Sequence, residues 1–495
     1  MADPLSNPSE IAKAALKALD DRDEESGLAL TRAGRARFPA DARLWQIEGL
    51  LHRQRDDLAP AIAAFERAEA LAPSDARIVH GHAVARAEGG LRAIDQFARA
   101  RQLAPGDLSV VSGLVSALVA QGDLAVAIEG LELMLHGQPD WLDGLASLAQ
   151  LRWQSGERTG FARGFEAALG LAPANANLWN NYIFVLLHAE QFAEALAVID
   201  RARGAVGETL VLQWSEAACC SEVGDHKRAD RGFEPIRETR DVATQLRRVR
   251  HLLRTDRSIE AAAECERWIG TPAANQFWPY LALAWRLLGD PRWGWLEGDP
   301  RLVGVYDIAE RLPDLAQLAK TLRALHNVPG QPLVQSVRGG TQSWGNLLSH
   351  VDPTIRQLRA ALAETVAEYA AQLPADPTHP FLSAARSPIR FAASWSVRLS
   401  ASGHHSNHVH PMGWISSALY ISLPPGIGQG EGSDKAGWLT LGAPPVELGL
   451  DLAPFRSVEP KPGRLVLFPS IMWHGTVPFA GGERLTVAFD VERPA

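Results

Sequence analysis

A pattern of small, aromatic and proline residues recurs along the first 290 residues at an almost constant period. It places these residues at offsets 0, 4, 7 and 12, and its clearest copy is Ala61, Phe65, Ala68 and Pro73. Eight copies at steps of 32 to 34 residues predict a repeat architecture. The first positions of the copies are Gly27, Ala61, Ala93, Ala127, Phe161, Ala195, Ala229 and Ala261.

The offsets within a copy predict how its second half folds. Side chains at offsets 0, 4 and 7 share one face of a helix, and the proline ends that helix before the next copy begins. A preceding helix fits the upstream half, where Trp45 and Gly49 supply an aromatic and a small residue. Residues 10–290 therefore resemble the tetratricopeptide family, in which helix pairs stack into a solenoid. The resemblance implies a concave face that binds peptide segments of a partner.

Three arginines in "RRVRHLLR" are a candidate contact for such a partner. Arg247, Arg250 and Arg254 are spaced at i, i+3 and i+7, so a helix would present them on one side. Two interpretations stay open, a seat for an acidic peptide and a solvated helix face.

The repeat pattern is lost near residue 290. Residues 291–320 predict a capping helix and a connector, and residues 353–373 carry a further helical pattern. From about residue 388, short runs of alternating apolar and polar residues are separated by proline and glycine, which is typical of strands. We expect residues 321–495 to form a β-sandwich or barrel with helices in front of it. The predicted strands are "IRFAASWSVRLSASG", "GWISSALYISLP", "GWLTLG", "GRLVLFP" and "RLTVAFDVE".

Histidines in this second region are candidate metal ligands. His408 and His410 are separated by one residue just ahead of a strand, and alternation turns both imidazoles to the same side of the chain. His474 opens a later strand. His404 and His405 lie in the turn-like stretch "ASGHHSN", and we expect them in a loop.

The strand "RLTVAFDVE" brings a second group of polar residues. Arg484 and Thr486 occupy one face of that strand, and Arg484 follows His474 by ten residues. A guanidinium group stays charged and can bind a carboxylate through two parallel hydrogen bonds. Tyr420 shares strand parity with His408 and His410, so it either reaches the interior site or packs in the core.

The order His-x-His, distant His, Arg-x-Thr resembles the double-stranded β-helix oxygenases that use iron(II) and 2-oxoglutarate. The phrases "QSVRGGTQS" and "PGRLVLFPS…WHGTVPF" are similar to bacterial and phage members, and the resemblance covers residues 330–495. It implies a multidomain α + β chain, in which an all-α tetratricopeptide solenoid precedes a double-stranded β-helix (jelly-roll) domain with flanking helices. It implies metal ligands at His408, His410 and His474 and 2-oxoglutarate contacts from Arg484, Thr486 and Tyr420.

The implied activity is that of a dioxygenase with iron(II), 2-oxoglutarate and O2. It would hydroxylate a peptide or protein substrate that the solenoid recruits. His410 departs from the family pattern, because a carboxylate usually stands at its position. One alternative is therefore that only His408 and His474 bind the metal, with water or substrate in the third position.

Two further alternatives stay open. A cupin-type metal site also begins with His-x-His, but the glutamate that follows it in cupins is replaced here by Gly413 and Trp414. The other alternative is a binding scaffold without activity, which the missing carboxylate favours.

Composition narrows the classes of partner and compartment. A formal net charge of −8 disfavours nucleic acid as a partner. The sequence contains no run of 18 apolar residues, so it predicts no membrane span. The first residues show no secretion signal. Three cysteines without paired spacing predict neither a zinc site nor a disulfide framework. We expect a cytoplasmic protein.

Overall fold

The computed structural model describes residues 7–333, 335–427 and 435–494. It forms two compact units, and each is described by itself. The first consists of residues 1–130 and 343–360, and the second of residues 131–342 and 361–495.

The first unit consists mainly of helices joined by short connections. Each second helix of a pair ends two residues before a proline of the repeat pattern, as at Pro39 and Pro73, because proline cannot donate the next helical hydrogen bond. The helices are α1 Pro8–Asp20, α2 Glu24–Arg37, α3 Ala42–Gln54, α4 Leu58–Leu71, α5 Ala76–Glu88, α6 Ile94–Leu103, α7 Leu108–Ala120 and the first half of α8 Leu124–Gly137.

Glycines on the first helix of a pair make room for the aromatic residue at offset 4. A Cβ atom on Gly49 would lie 2.7 Å from the ring of Phe65, and one on Gly81 would lie 2.5 Å from the same ring. Gly113 stands in the same relation to Phe97, at 2.2 Å. Real Cβ atoms do not approach so closely, so the buried rings and the glycines require each other.

A segment from beyond the repeats also belongs to the first unit. The Val351 backbone N–H donates to the Gly89 carbonyl at 3.0 Å, and the Arg359 guanidinium pairs with Asp56. Residues 343–360 are therefore held against the early helices, a pairing that the sequence did not predict.

The second unit continues the helical pairs and adds a cap. Helix α17 closes the series, and the short α18 follows it. The helices are α9 Leu142–Gln154, α10 Arg163–Leu171, α11 Ala176–His188, α12 Phe192–Val206, α13 Leu210–Glu222, α14 His226–Phe233, α15 Val242–Arg254, α16 Ser258–Glu266, α17 Ala274–Leu288, α18 Arg292–Leu296, α19 Leu315–Arg323 and, across both units, α20 Pro353–Gln372.

The pattern of the repeats is confirmed by burial. All eight first positions are buried. Capping side chains recur at the same period, since each accepts a hydrogen bond from a backbone N–H of the helix that it begins. These caps are Asp41, Asp75, Asp107, Asn175, Thr209 and Asp241.

The described residues of the second unit also form two antiparallel sheets. A six-stranded sheet has the order β1-β7-β4-β9-β3-β2, and a three-stranded sheet has the order β6-β5-β8. The strands are β1 Gly304–Asp307, β2 Val337–Gln342, β3 Phe391–His405, β4 Ile415–Ser422, β5 Leu439–Leu441, β6 Arg456–Val458, β7 Arg464–Pro469, β8 His474–Thr476 and β9 Arg484–Val491.

The last repeats and the sheets share one apolar core. Residues of α15 to α17 cluster with Leu448, Ile471 and Trp473. The Trp473 indole N–H donates to the carbonyl of Pro279, inside α17, at 2.9 Å. This contact fixes the strand that His474 opens against the capping helix.

The solenoid followed by a β-domain is confirmed, whereas two details differ from expectation. All five predicted strands form, but His404 and His405 belong to β3, so their placement in a loop was wrong. Strand β1 arises inside the predicted connector, and it pairs with β7. The boundaries at 290 and 320 stay a prediction. No helix in the described part of the chain has both the length and the apolar character to cross a bilayer.

Candidate metal centre and its pocket

Backbone pairing between distant segments brings the three predicted ligands together. His408 and His474 exchange two backbone hydrogen bonds, at 2.9 and 3.0 Å. The His410 N–H donates to the carbonyl of Ser470 at 2.8 Å. These bonds hold the connection between β3 and β4 against the start of β8.

The imidazoles of His408, His410 and His474 form one cluster. The ring centroid of His408 lies 4.1 Å from that of His474 and 4.9 Å from that of His410. One nitrogen from each ring lies within 4.8 Å of the other two. This is close to the span that one ion can bridge, because metal–imidazole bonds are about 2.0–2.1 Å long.

A hydrogen bond at Nδ1 fixes each ring. The Nδ1–H groups of His408 and His474 donate to the carbonyls of Ser406 and Met472, at 2.8 and 3.0 Å. His410 Nδ1 lies 2.5 Å from a carboxylate oxygen of Asp490. Because these acceptors take the Nδ1 proton, Nε2 is the atom that each ring can offer to a metal.

Burial keeps two of these rings in the form that binds metals. It lowers the pKa of His408 to about 3, with a further contribution from the charge of His410. Burial, followed by the charges of His408 and His410, holds the pKa of His474 well below its usual range. Neutral imidazole is the ligating form, so protons do not compete with an ion at neutral pH.

Asp490 is a site residue that the sequence interpretation missed. Its carboxylate is 8 % exposed and also accepts a hydrogen bond from the Ser416 hydroxyl at 2.6 Å. A signal existed, because Asp490 follows Arg484 by six residues on the same strand and so shares its face. The family pattern has a carboxylate at the position of His410, and here the carboxylate of Asp490 instead contacts the Nδ1 atom of His410.

Ser336 and His405 complete this end of the pocket. The Ser336 hydroxyl lies 3.2 Å from His408 Nε2 and 3.1 Å from His405 Nδ1. His405 is paired with Val337 of β2 in the sheet, and this register turns its ring toward the cluster. Since His408 Nε2 carries no proton, it accepts from Ser336 at the position that a metal would take.

Arg484 reaches the same pocket from β9. Its side chain is 2 % exposed, and its Nη1 donates to the Gly437 carbonyl at 3.0 Å. The Nε–H is buried and has no hydrogen-bond acceptor in the described part of the chain. Burying such a donor without a partner costs about 1–3 kcal/mol, so the site fits a ligand that accepts this hydrogen bond.

The other two predicted 2-oxoglutarate contacts lie at different depths. Thr486 lines the pocket, next to Arg484 on the same face of β9. Tyr420 is fully buried in the core cluster rather than in the pocket lining, and its ring centre lies 5.4 Å from the Arg484 guanidinium carbon. Its hydroxyl has no hydrogen-bond partner among the described residues. The role of both residues stays a prediction.

Comparison with known families bears on the C-terminal segment. Residues 393–490 match a family described as "Putative 2OG-Fe(II) oxygenase". The match extends from β3 to β9, so it contains the histidine cluster, Arg484 and Asp490. No curated protein matches the chain significantly.

Two of the similar solved structures are tetratricopeptide repeat proteins by their titles. A tetratricopeptide repeat protein from Parabacteroides merdae ATCC 43184 is 15 % identical, with 48 % of this chain and 94 % of that chain covered and a TM-score of 0.32. YrrB, "a TPR protein with an unusual peptide-binding site", is 18 % identical, with coverages of 37 % and 95 % and a TM-score of 0.26. Because these scores are low, the repeat assignment rests on the helices themselves. The chain combines helical repeats of the tetratricopeptide kind with a segment that matches a 2-oxoglutarate/iron(II) oxygenase family.

Proposed function

We propose that this protein is a 2-oxoglutarate- and iron(II)-dependent dioxygenase that hydroxylates a peptide or protein substrate. The observation that carries the proposal is the buried Arg484 guanidinium, which lies in the pocket that the three histidines also line and whose Nε–H has no acceptor among the described residues. A histidine cluster alone fits many metal proteins. The added guanidinium favours a dicarboxylic co-substrate, because a fork of N–H donors matches a carboxylate.

Each side chain of the site has a separate task in this proposal. His408, His410 and His474 hold the metal through Nε2, and Asp490 orients His410. Bound iron(II) would supply the oxygen chemistry, in which 2-oxoglutarate is oxidised to succinate and carbon dioxide.

The co-substrate needs a partner at its far end. Arg484 anchors the distal carboxylate of 2-oxoglutarate, and the Thr486 hydroxyl donates to the same group. The low solvent exposure of both side chains strengthens these hydrogen bonds, since water does not compete for the donors.

Asp490 also bears on the departure at His410. An imidazole whose Nδ1–H donates to a carboxylate is a more basic ligand than an isolated one. The negative charge of Asp490 therefore stands 2.5 Å from the ligand ring instead of on the metal. This arrangement supports His410 as a third ligand and weakens the alternative of an inactive scaffold.

The proposed substrate class follows from the surroundings of the site. His408, His410 and Asp490 also line a larger cavity, together with residues of the repeat helices. Tetratricopeptide-type surfaces bind extended peptides, so a segment bound to these helices would lie beside the candidate metal centre.

Turnover of 2-oxoglutarate tests the proposal. The purified full chain, with iron(II) and oxygen, should convert 2-oxoglutarate to succinate. Arg484→Ala should abolish this conversion, and Arg484→Lys should retain part of it at a raised KM for 2-oxoglutarate, because lysine keeps the charge but not the fork. Arg398→Ala is the matched control, since that exposed arginine of the same sheet lies outside the pocket. Equal turnover by Arg484→Ala and the wild type would refute the assignment.

A further inference from the structure

A cavity of about 1060 Å³ adjoins the candidate metal centre. It exceeds the roughly 300–1,000 Å³ of ordinary small-molecule pockets, so it can hold a segment of several residues. Helices α11, α13, α15 and α17 line it, and each is the first helix of a pair or the cap. His408, His410 and Asp490 line the same cavity.

The three arginines of α15 are not equivalent in this cavity. Arg254 is engaged, because it donates to the Glu447 carbonyl at 2.9 Å and to the Ser221 hydroxyl at 2.6 Å, and it pairs with Glu222. It does not line the cavity. The acidic-peptide seat suggested by the sequence therefore reduces to Arg247 and Arg250, which do line it.

Arg250 is only partly satisfied. Its Nη2 lies 3.5 Å from a Glu222 oxygen and its Nη1 lies 3.4 Å from the Tyr280 hydroxyl, both long for hydrogen bonds. Its Nε–H is buried and has no acceptor within the described ranges. The group thus keeps donor capacity toward a ligand.

Arg247 is the arginine with the most capacity left. Among the described residues, no hydrogen bond or ion pair engages its guanidinium, although the side chain is half-buried. The charges that act on it include Arg250, of like sign, and Glu222, which pairs with Arg254. A half-buried guanidinium in this position favours an incoming anion.

The acidic side chains of the cavity limit what that anion can be. Glu190 pairs with Arg338 at 3.1 Å, Glu222 pairs with Arg254, and Asp490 bonds to His410. Glu447 is exposed at the wall. These carboxylates would repel a polyanion such as a nucleic acid, whereas a single acidic group placed at Arg247 would avoid them.

Apolar side chains occupy the cavity wall beside these arginines. Phe184 is 50 % exposed on α11, and Trp214 on α13 and Leu246 on α15 line the same space. Exposed aromatic residues next to cationic ones suit a peptide that pairs apolar residues with an acidic one.

We propose that Arg247, assisted by Arg250, binds the carboxylate of an aspartate or glutamate side chain in a peptide segment with apolar neighbours. This segment is the substrate presented to the candidate metal centre. The description of this segment as a substrate rests on the proposed function. Its binding requires neither metal nor turnover.

A selection from random peptides tests this proposal. A displayed library of random 12-residue peptides is selected on the immobilised full-length protein without iron or 2-oxoglutarate, and in parallel on Arg247→Gln. The wild-type pool should be enriched in Asp or Glu at a fixed position relative to apolar residues, and the Arg247→Gln pool should not. Arg231→Gln is the matched control, because Arg231 is an exposed arginine of α14 outside the cavity.

A selected peptide then shows how much its acidic residue contributes to the binding affinity. Replacing its acidic residue by the corresponding amide should weaken binding to the wild type roughly 10- to 100-fold, the range of a hydrogen bond to a charged group. The same replacement should have little effect on Arg247→Gln, and Arg247→Lys should restore part of the preference. Thermal unfolding checks that each variant is folded.

Several results would overturn the proposal. They are a pool without an acidic position, no enriched peptide at all, equal amide effects in wild type and Arg247→Gln, or tighter binding of random single-stranded 12-nucleotide DNA with the same Arg247 dependence. Failure of the succinate assay together with a positive selection would instead refute only the proposed oxygenase function.

Discussion

Replacing Asp490 by alanine should weaken metal binding without removing a metal ligand. The carboxylate accepts from His410 Nδ1 at 2.5 Å and from the Ser416 hydroxyl at 2.6 Å, and it is 8 % exposed. Partners behind a ligating histidine contribute roughly 10- to 100-fold to metal affinity. We therefore expect Asp490→Ala to raise the iron(II) Kd by roughly 10- to 100-fold, or about 1.4–2.7 kcal/mol. Asp490→Asn keeps the shape and one acceptor, so its effect should be smaller.

Anaerobic titration of the metal-free protein with iron(II), or with Co(II) as a spectroscopic substitute, measures this Kd. Asp307→Asn serves as the control, because Asp307 pairs with Arg464 and Lys461 at the protein surface, away from the pocket. Unfolding of the metal-free variants separates a loss of stability from a loss of affinity. An unchanged Kd for a folded Asp490→Ala protein would refute the role assigned to Asp490.

Other predictions concern packing and pH. Gly113→Ala should destabilise the first unit by about 1–3 kcal/mol, because the new Cβ would lie 2.2 Å from the Phe97 ring. Gly130→Ala has open space around the new Cβ, so it should be neutral or stabilising by up to about 1 kcal/mol. Chemical denaturation of both variants measures these changes in the free energy of unfolding. Burial, with a smaller contribution from Arg398, lowers the pKa of His326 to about 4 from 6.5. Its neutral form therefore contributes stability at neutral pH that is lost as pH falls from about 6.5 toward 4. Denaturation at several pH values should show that the free energy of unfolding of His326→Gln depends less on pH over this range than that of the wild type.

The repeats were predictable because their signal is local. Residues at offsets 0, 4 and 7 meet within one helix, and the following proline marks its end, so each copy reports its own structure. The reciprocal fit of Gly113 and Phe97 joins two neighbouring copies, because Phe97 lies on α6 and Gly113 on α7, the first helix of the next copy. In the sequence, Gly49 was the one glycine that we identified as the small residue of a first helix.

The site was predictable in its parts and not in its connections. Alternation along a strand places Arg484 and Thr486 on one face, and the same rule places Asp490 on that face. The turn of His405 toward the cluster depends on pairing with Val337, about 70 positions earlier in the chain. Pairings of that range leave no periodic trace.

The α15 arginines show a further limit. Helical spacing places Arg247, Arg250 and Arg254 on one side, and the structure keeps them there. Which of them remains available depends on Glu222 and on the backbone of Glu447, which come from other elements. Spacing alone gives the side of a helix but not the partners on that side.

Anaerobic addition of 2-oxoglutarate to the iron(II)-loaded chain tests the central claim most directly, because it requires the histidine cluster and Arg484 to act as one site. We predict a new visible absorption band that appears only when both iron(II) and 2-oxoglutarate are present. The band should need a severalfold higher 2-oxoglutarate concentration in Arg484→Lys and be absent in His474→Ala. An iron-loaded wild-type protein whose spectrum does not respond to 2-oxoglutarate would contradict the account.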